Sequence, residues 1–130
     1  MIIRDTKKAE YFTAGDGCIL CELLHPDREA ERGEERLLMN AGIAHAFVRK
    51  GEKTIPHRLK SSAEIYYIIA GKGKMHIDDE TEEVLPGQAV YIPPGSIQWI
   101  ESAGDCDLEL LAIVDPRWRE EDEEIFEVKT

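Results

Sequence analysis

The chain has 130 residues, the size of one domain with a single core. Its 16 basic and 27 acidic residues leave a formal charge of −11, which speaks against nucleic acid or an anionic membrane as partner, since both demand a basic face. No apolar run reaches the length of a membrane span, and the start Met1-Ile-Ile-Arg-Asp-Thr-Lys-Lys8 lacks the apolar core of a signal peptide, so a cytoplasmic protein is expected.

Residues 1–16 carry mixed charge and the Tyr11-Phe12 pair, and read as an N-terminal arm that ends in the turn signal Gly15-Asp16-Gly17. Cys18 to Leu24 is an apolar run of strand length, closed by His25-Pro26. Cys18 and Cys21 form a CxxC, but positions i and i+3 of a strand face opposite sides, so no shared metal is expected. With Cys106 the cysteines number three, which suggests no disulfide framework. Asp27 to Arg36 is charged, broken by glycine and without an apolar face, and is expected to be a solvated loop. Leu37 to Val48 turns apolar again. If Ile43, His45 and Phe47 face inward, His45 points into the core between Ala44 and Ala46, small residues that leave it room.

Next comes the stretch Gly51 to Gly71, where chemistry is expected. Thr54 to Leu59 is extended, with Ile55, His57 and Leu59 on one face. Glu64 then opens the β-prone run Ile65 to Ala70, which Gly71 ends. Lys74 to Ile77, Glu83 to Leu85, Ala89 to Ile92, Ile97 to Glu101 and Leu108 to Val114 read as further extended runs, separated by Asp78-Asp79-Glu80, Pro86-Gly87, Pro93-Pro94-Gly95 and Ala103-Gly104-Asp105. Past Asp115-Pro116 the chain is acidic and ends as a short helix or an extended arm. Short strands with Gly/Pro punctuation and no helical period predict an all-β barrel or sandwich, here one domain over 1–130 with its core at about 17–115. Phe47, Tyr66, Tyr91 and Trp99 alternate with aliphatic residues and are expected to fill the barrel.

Two motifs carry a family resemblance. Gly51, His57, Glu64 and Gly71 stand in the register G-x5-H-x-H-x3–4-E-x6-G, with Leu59 at the second histidine. Gly87, Pro93 and Gly95 fit G-x5-P-x-G-x2-H-x3-N, with Gln98 at the histidine and Ser102 at the asparagine. In these positions the chain resembles the small single-domain cupins, whose fold is a double-stranded β-helix, or jelly roll. The resemblance implies a metal inside the barrel. Carried over, His57, Glu64 and Gln98 occupy ligand positions, and a donor set of imidazole, carboxylate and amide oxygen suits Mn, Fe, Ni or Zn. His45, on the strand before the first motif, is a candidate replacement for the lost ligand or a base beside it. His25 and His76 have no such framing.

The resemblance further implies a metal-dependent isomerase, lyase or dioxygenase acting on a small sugar-like or oxygen-rich acid, with Glu64 or His45 moving a proton. A non-catalytic small-molecule binder and a degenerate barrel without metal stand as alternatives, because Leu59 and Gln98 replace two usual ligands. The expected partners are a small-molecule ligand and a second copy in a homodimer, with the N-terminal run to Phe12, Trp118 and Phe126 as contact candidates. Nucleophilic catalysis has no motif: there is no G-x-S-x-G elbow and no phosphate loop.

Overall fold

Runs of β-branched and aromatic residues, cut short by glycine and proline, leave the chain little length for helices. The computed structural model describes residues 1–33 and 37–127, and most of the expected runs are strands in it. They are β1 Phe12–Thr13, β2 Ile19–Leu24, β3 Gly42–Val48, β4 His57–Leu59, β5 Ala63–Ala70, β6 Gly73–Ile77, β7 Glu80–Val84, β8 Ala89–Ile92, β9 Gln98–Ser102, β10 Leu108–Asp115 and β11 Glu123–Ile125. Two antiparallel sheets result, one in the order β1-β2-β3-β10-β5-β8 and one in the order β11-β4-β9-β6-β7. They pack face to face as a jelly roll, which is the expected fold class. No helix among the described residues is long and apolar enough to cross a membrane.

Side-chain alternation sets what each sheet offers the interior. Along β5, Glu64, Tyr66 and Ile68 point in while Ile65, Tyr67 and Ile69 point out. Along β10 the inward set is Leu108, Leu110, Ala112 and Val114, and along β9 it is Gln98, Ile100 and Ser102. Ile68, Met75, Val84, Ile92 and Leu108 close one end of the barrel as a dense apolar plug. Gly71 makes the turn from β5 to β6 at φ 84°, and a Cβ there would lie 2.5 Å from the carbonyl oxygen of Asp107, so no other residue fits.

One segment departs from the sequence expectation, and a second, expected as a short helix or an extended arm, holds both a helical turn and a strand. Pro26–Glu31 is a helical turn, α1, where a solvated loop was expected; residues 34–36 of that stretch lie outside the described residues. Its inward residue is Glu29, not an apolar one: the carboxylate is fully buried, pairs with Arg4 and takes an ion pair from Arg32 at 3.2 Å. A paired buried charge leaves no trace in an apolar period. The C-terminal segment contains one turn of 3-10 helix, Glu120–Asp122, and then β11, which pairs with β4 through Glu123↔Leu59 and Ile125↔His57.

Candidate functional site

Opposite the apolar plug, the barrel holds a cavity of about 280 Å³. It exists because β3 turns Ala44 and Ala46 inward and β10 contributes Ala112, so small side chains stand where large ones would fill the space. Val48, Leu59, Ile100, Leu110 and Val114 complete apolar walls. The polar groups come from distant segments and include Asp16, Thr54, His57, Glu64, Tyr66 and Glu123, with Glu22 and Arg28 toward solvent.

His57 and Gln98 are register partners on β4 and β9 of one sheet, and Glu64 faces them from β5 of the other. Gln98 donates its side-chain N–H to Glu64 Oε1 at 2.7 Å across the barrel. Gln98 is buried behind Glu64, does not line the cavity, and its own carbonyl oxygen is without a partner among the described residues. His57 Nδ1 lies 2.7 Å from the backbone oxygen of Ile55, an acceptor only, so the ring proton sits on Nδ1 and Nε2 is the basic nitrogen. That nitrogen is 3.5 Å from Asp16 Oδ2.

Asp16 was read from the sequence only as part of a turn. The turn is there: Gly17 takes φ 92°, the Cys18 N–H donates to Asp16 Oδ1 at 3.1 Å, and the Ile55 N–H donates to the Asp16 backbone oxygen at 2.7 Å. These bonds fix the second carboxylate oxygen beside His57. The titration of the acids follows from the enclosure. Burial pushes Glu64 up to about 7, against the lowering effect of the Gln98 hydrogen bond and of His57. Burial also raises Glu123, helped by Asp16. It lifts the Tyr66 phenol well above its ordinary range, so Tyr66 stays a hydrogen-bond donor, and it lifts the Cys18 thiol too, which keeps that cavity-lining sulfur unreactive.

His45 is not in the cavity. Ala44 and Ala46 are the inward residues of β3, so His45, between them, points out of the barrel. Its strand neighbours are β2 and β10, not β9, so it does not approach Gln98. The ring is nevertheless buried, because the N-terminal arm covers that face. His45 Nε2 bonds Glu109 at 2.6 Å, its Nδ1 accepts from the Tyr11 hydroxyl at 2.7 Å, and Phe47 packs edge-on at 4.9 Å. Tyr66 alone of the four aromatics expected in the barrel is inside. Phe47 is beside His45 outside, Trp99 stacks on His76 at 4.3 Å on the outer face of the second sheet, and Tyr91 is exposed. Cys18 and Cys21 do face opposite ways, Cys18 into the cavity and Cys21 toward the arm.

The segments assigned to the flanks of the barrel complete the site. Trp118 and Glu123 come from the C-terminal segment, Phe12 to Asp16 from the arm, and Arg28 from α1. His25, expected to be a plain loop residue, ties two of them together. Its Nδ1 accepts from the Asp27 N–H at 3.2 Å, capping α1, and its Nε2 donates to the Trp118 backbone oxygen at 3.0 Å.

The donors do not make the expected metal cage. Leu59 has no donor atom, His45 is outside, and Gln98 does not line the cavity. Among the described residues no three His, Cys, Asp or Glu side chains are grouped to hold one ion.

A family model described as "Cupin domain" matches residues 44–114. An uncharacterised protein of Methanocaldococcus jannaschii, MJ1618, is 39% identical over 98% of this chain and 100% of its own length. An oxalate-binding protein of Thermotoga maritima is 33% identical over 45% of this chain and 48% of its own length. Among solved structures, a Streptomyces Pac13 variant with uridine superposes with a TM-score of 0.76 at 16% identity, covering 100% of this chain and 93% of that one. KdgF from a Halomonas species gives 0.73 at 14%, covering 90% and 96%.

Proposed function

The chain belongs to the cupin family, and from that premise we propose that its barrel cavity binds a small organic molecule and moves a proton on it. The observation that carries this reading is the cavity itself: apolar walls lined as well by His57, whose Nε2 is 3.5 Å from Asp16, and by Glu64 on the opposite sheet. Cupins commonly bind a metal in the barrel, but the side chains present do not fit that group, so the chemistry is derived from the side chains.

His57 is the general base. Its Nδ1–H is committed to the Ile55 carbonyl, and Asp16 Oδ2 lies 3.5 Å from the nitrogen that takes up the proton. Glu64, at about 7, is poised between acid and base near neutral pH and can protonate a departing hydroxyl or a developing enolate oxygen. Gln98 fixes its orientation. Together they suit removal of a C–H proton next to a carbonyl or a carbinol, as in isomerisation or loss of water. Pac13, described as a nucleoside dehydratase, has the same fold, which is in keeping with this reaction class. The Thermotoga oxalate-binding protein favours a second reading, a binder without turnover.

Turnover by NMR on a panel of keto-sugars, uronates and nucleosides separates the two. His57→Gln is expected to lower the rate by about 100-fold or more, while His45→Ala, outside the cavity, leaves it within about twofold. Saturable binding without product would establish the binder. Stoichiometric Mn, Fe, Ni or Zn in the purified protein, lost in His57→Gln, would replace both readings with a metal-dependent one.

We also propose a homodimer, formed through the outer face of the first sheet rather than through the chain ends. Ile65, Tyr67, Ile69 and Tyr91 are exposed side by side on β5 and β8, more apolar surface than a monomer leaves without use. Trp118, one of the expected contacts, is occupied at the cavity. Light scattering is expected to give twice the chain mass, and Tyr91→Glu half of that; a monomeric parent protein would end the proposal.

A further inference from the structure

We infer that the ligand of this cavity brings hydrogen-bond donors, hydroxyl or ammonium groups, and carries no negative charge. The inference rests on the reading of the cavity as a ligand site and names the class of molecule it takes. Among the described residues, four carboxylates line the cavity, Asp16, Glu22, Glu64 and Glu123, against one guanidinium, that of Arg28. Arg28 is already engaged: its Nε donates to Glu22 at 2.9 Å and its head group lies 3.6 Å from Glu31. Among the described residues lining the cavity, an anion entering here has no free cation to meet and must approach three further carboxylates between apolar walls.

The deep end is equally short of donors. His57 presents a lone pair, since its proton is held by Ile55. Glu64, more than nine-tenths buried and lining the cavity, accepts one bond, from Gln98, which leaves its other oxygen to be satisfied from within. Asp16 Oδ2 faces His57 at a distance too long for a hydrogen bond. Among the described residues the deep donors are the hydroxyls of Tyr66 and Thr54, the oxygen of Thr54 already accepting from the Ile100 N–H at 2.9 Å. Three acceptors against two hydroxyl donors leave an excess of acceptors, which a molecule bearing hydroxyls or an amine satisfies, and the apolar walls suit its carbon skeleton. The raised titration of Glu64 and Glu123, to which Asp16 adds in both cases, reflects how poorly this space already tolerates its own negative charge.

Matched probes test this by calorimetry at pH 8, where Glu64 is mostly ionised. Galactose, galactosamine and galacturonate share a skeleton and differ in one group, as do uridine and uridine 5′-monophosphate. The neutral or amine member is expected to bind at least tenfold tighter than its anionic partner, and which of the two leads tells hydroxyl from ammonium. In the Asp16→Asn, Glu64→Gln double variant that preference is expected to shrink at least threefold. An anionic member that binds as tightly as its neutral partner overturns the inference and leaves the ligand site standing. If no member binds the parent protein, the ligand-site reading falls and the inference with it.

Discussion

Replacing Glu64 by Gln is expected to make the protein more stable than its parent at pH 8, by about 3 kcal/mol, and to leave the two nearly equal at pH 4. The folded carboxyl titrates at about 7 against 4.5 for the unfolded chain, because burial disfavours its charged form. Between those values the folded state holds a proton that the unfolded state has lost. Stability is therefore full below 4.5 and is lost as the pH rises through about 7. Gln at this position keeps the shape and still offers an oxygen to the Gln98 amide, but it carries no charge to desolvate. Chemical denaturation of both proteins at pH 4, 6 and 8 gives the difference directly. A gap that does not widen with pH would show that Glu64 is not held against its charge. The proposed function gives the penalty its meaning: a carboxyl kept near neutrality is useful for proton transfer, and a protein selected for stability alone would have no reason to keep it.

Which parts of this were visible in the sequence follows from the range of the interactions involved. Strand runs such as Ile65 to Ala70 are local signals, and so are the glycine turns. The grouping of His57, Glu64 and Gln98 came from the resemblance of the two motifs to the family pattern; in the structure His57 and Gln98 are register partners and Gln98 bonds Glu64. The direction of His45 was not legible. Alternation says which residues share a face, but not which face is inside when both are covered, and Tyr11 and Phe47 bury the outer one. Asp16, Trp118 and Glu123 were missed for a related reason. A short acidic turn and an acidic tail look like solvated surface until the chain folds them over the same opening. For α1 a signal existed: Pro26 stands at the first helical position, directly after a residue able to cap.

Asp122 is the residue by which the C-terminal side of the site is fastened, and Asp122→Ala is expected to cost about 2–4 kcal/mol. Its Oδ1 accepts from the Ser61 N–H at 2.9 Å and the Ser61 hydroxyl at 2.6 Å, and its Oδ2 accepts from the Ser62 N–H at 3.2 Å. Burial acts to raise this carboxyl, and the bonds from Ser61 and Ser62 outweigh it, holding Asp122 below its ordinary value of 3.8. The stability it supplies is accordingly present above 3.8 and is lost as the pH falls through the lower folded value. Removing the carboxylate leaves two amide donors of the β4–β5 turn unpaired beneath the segment that runs from Trp118 to β11. Glu123 and Trp118 line the cavity from that segment, while Asp122 does not. The variant should thus weaken ligand binding without altering any group that touches the ligand, and should raise hydrogen exchange in β11 well before the barrel unfolds. Asn is not a substitute, because its amide nitrogen would face donors. Denaturation at pH 7 together with exchange of the β11 amides checks the prediction. A loss below about 0.5 kcal/mol, or exchange unchanged in β11, would mean that the pairing of β11 with β4 holds the segment without Asp122.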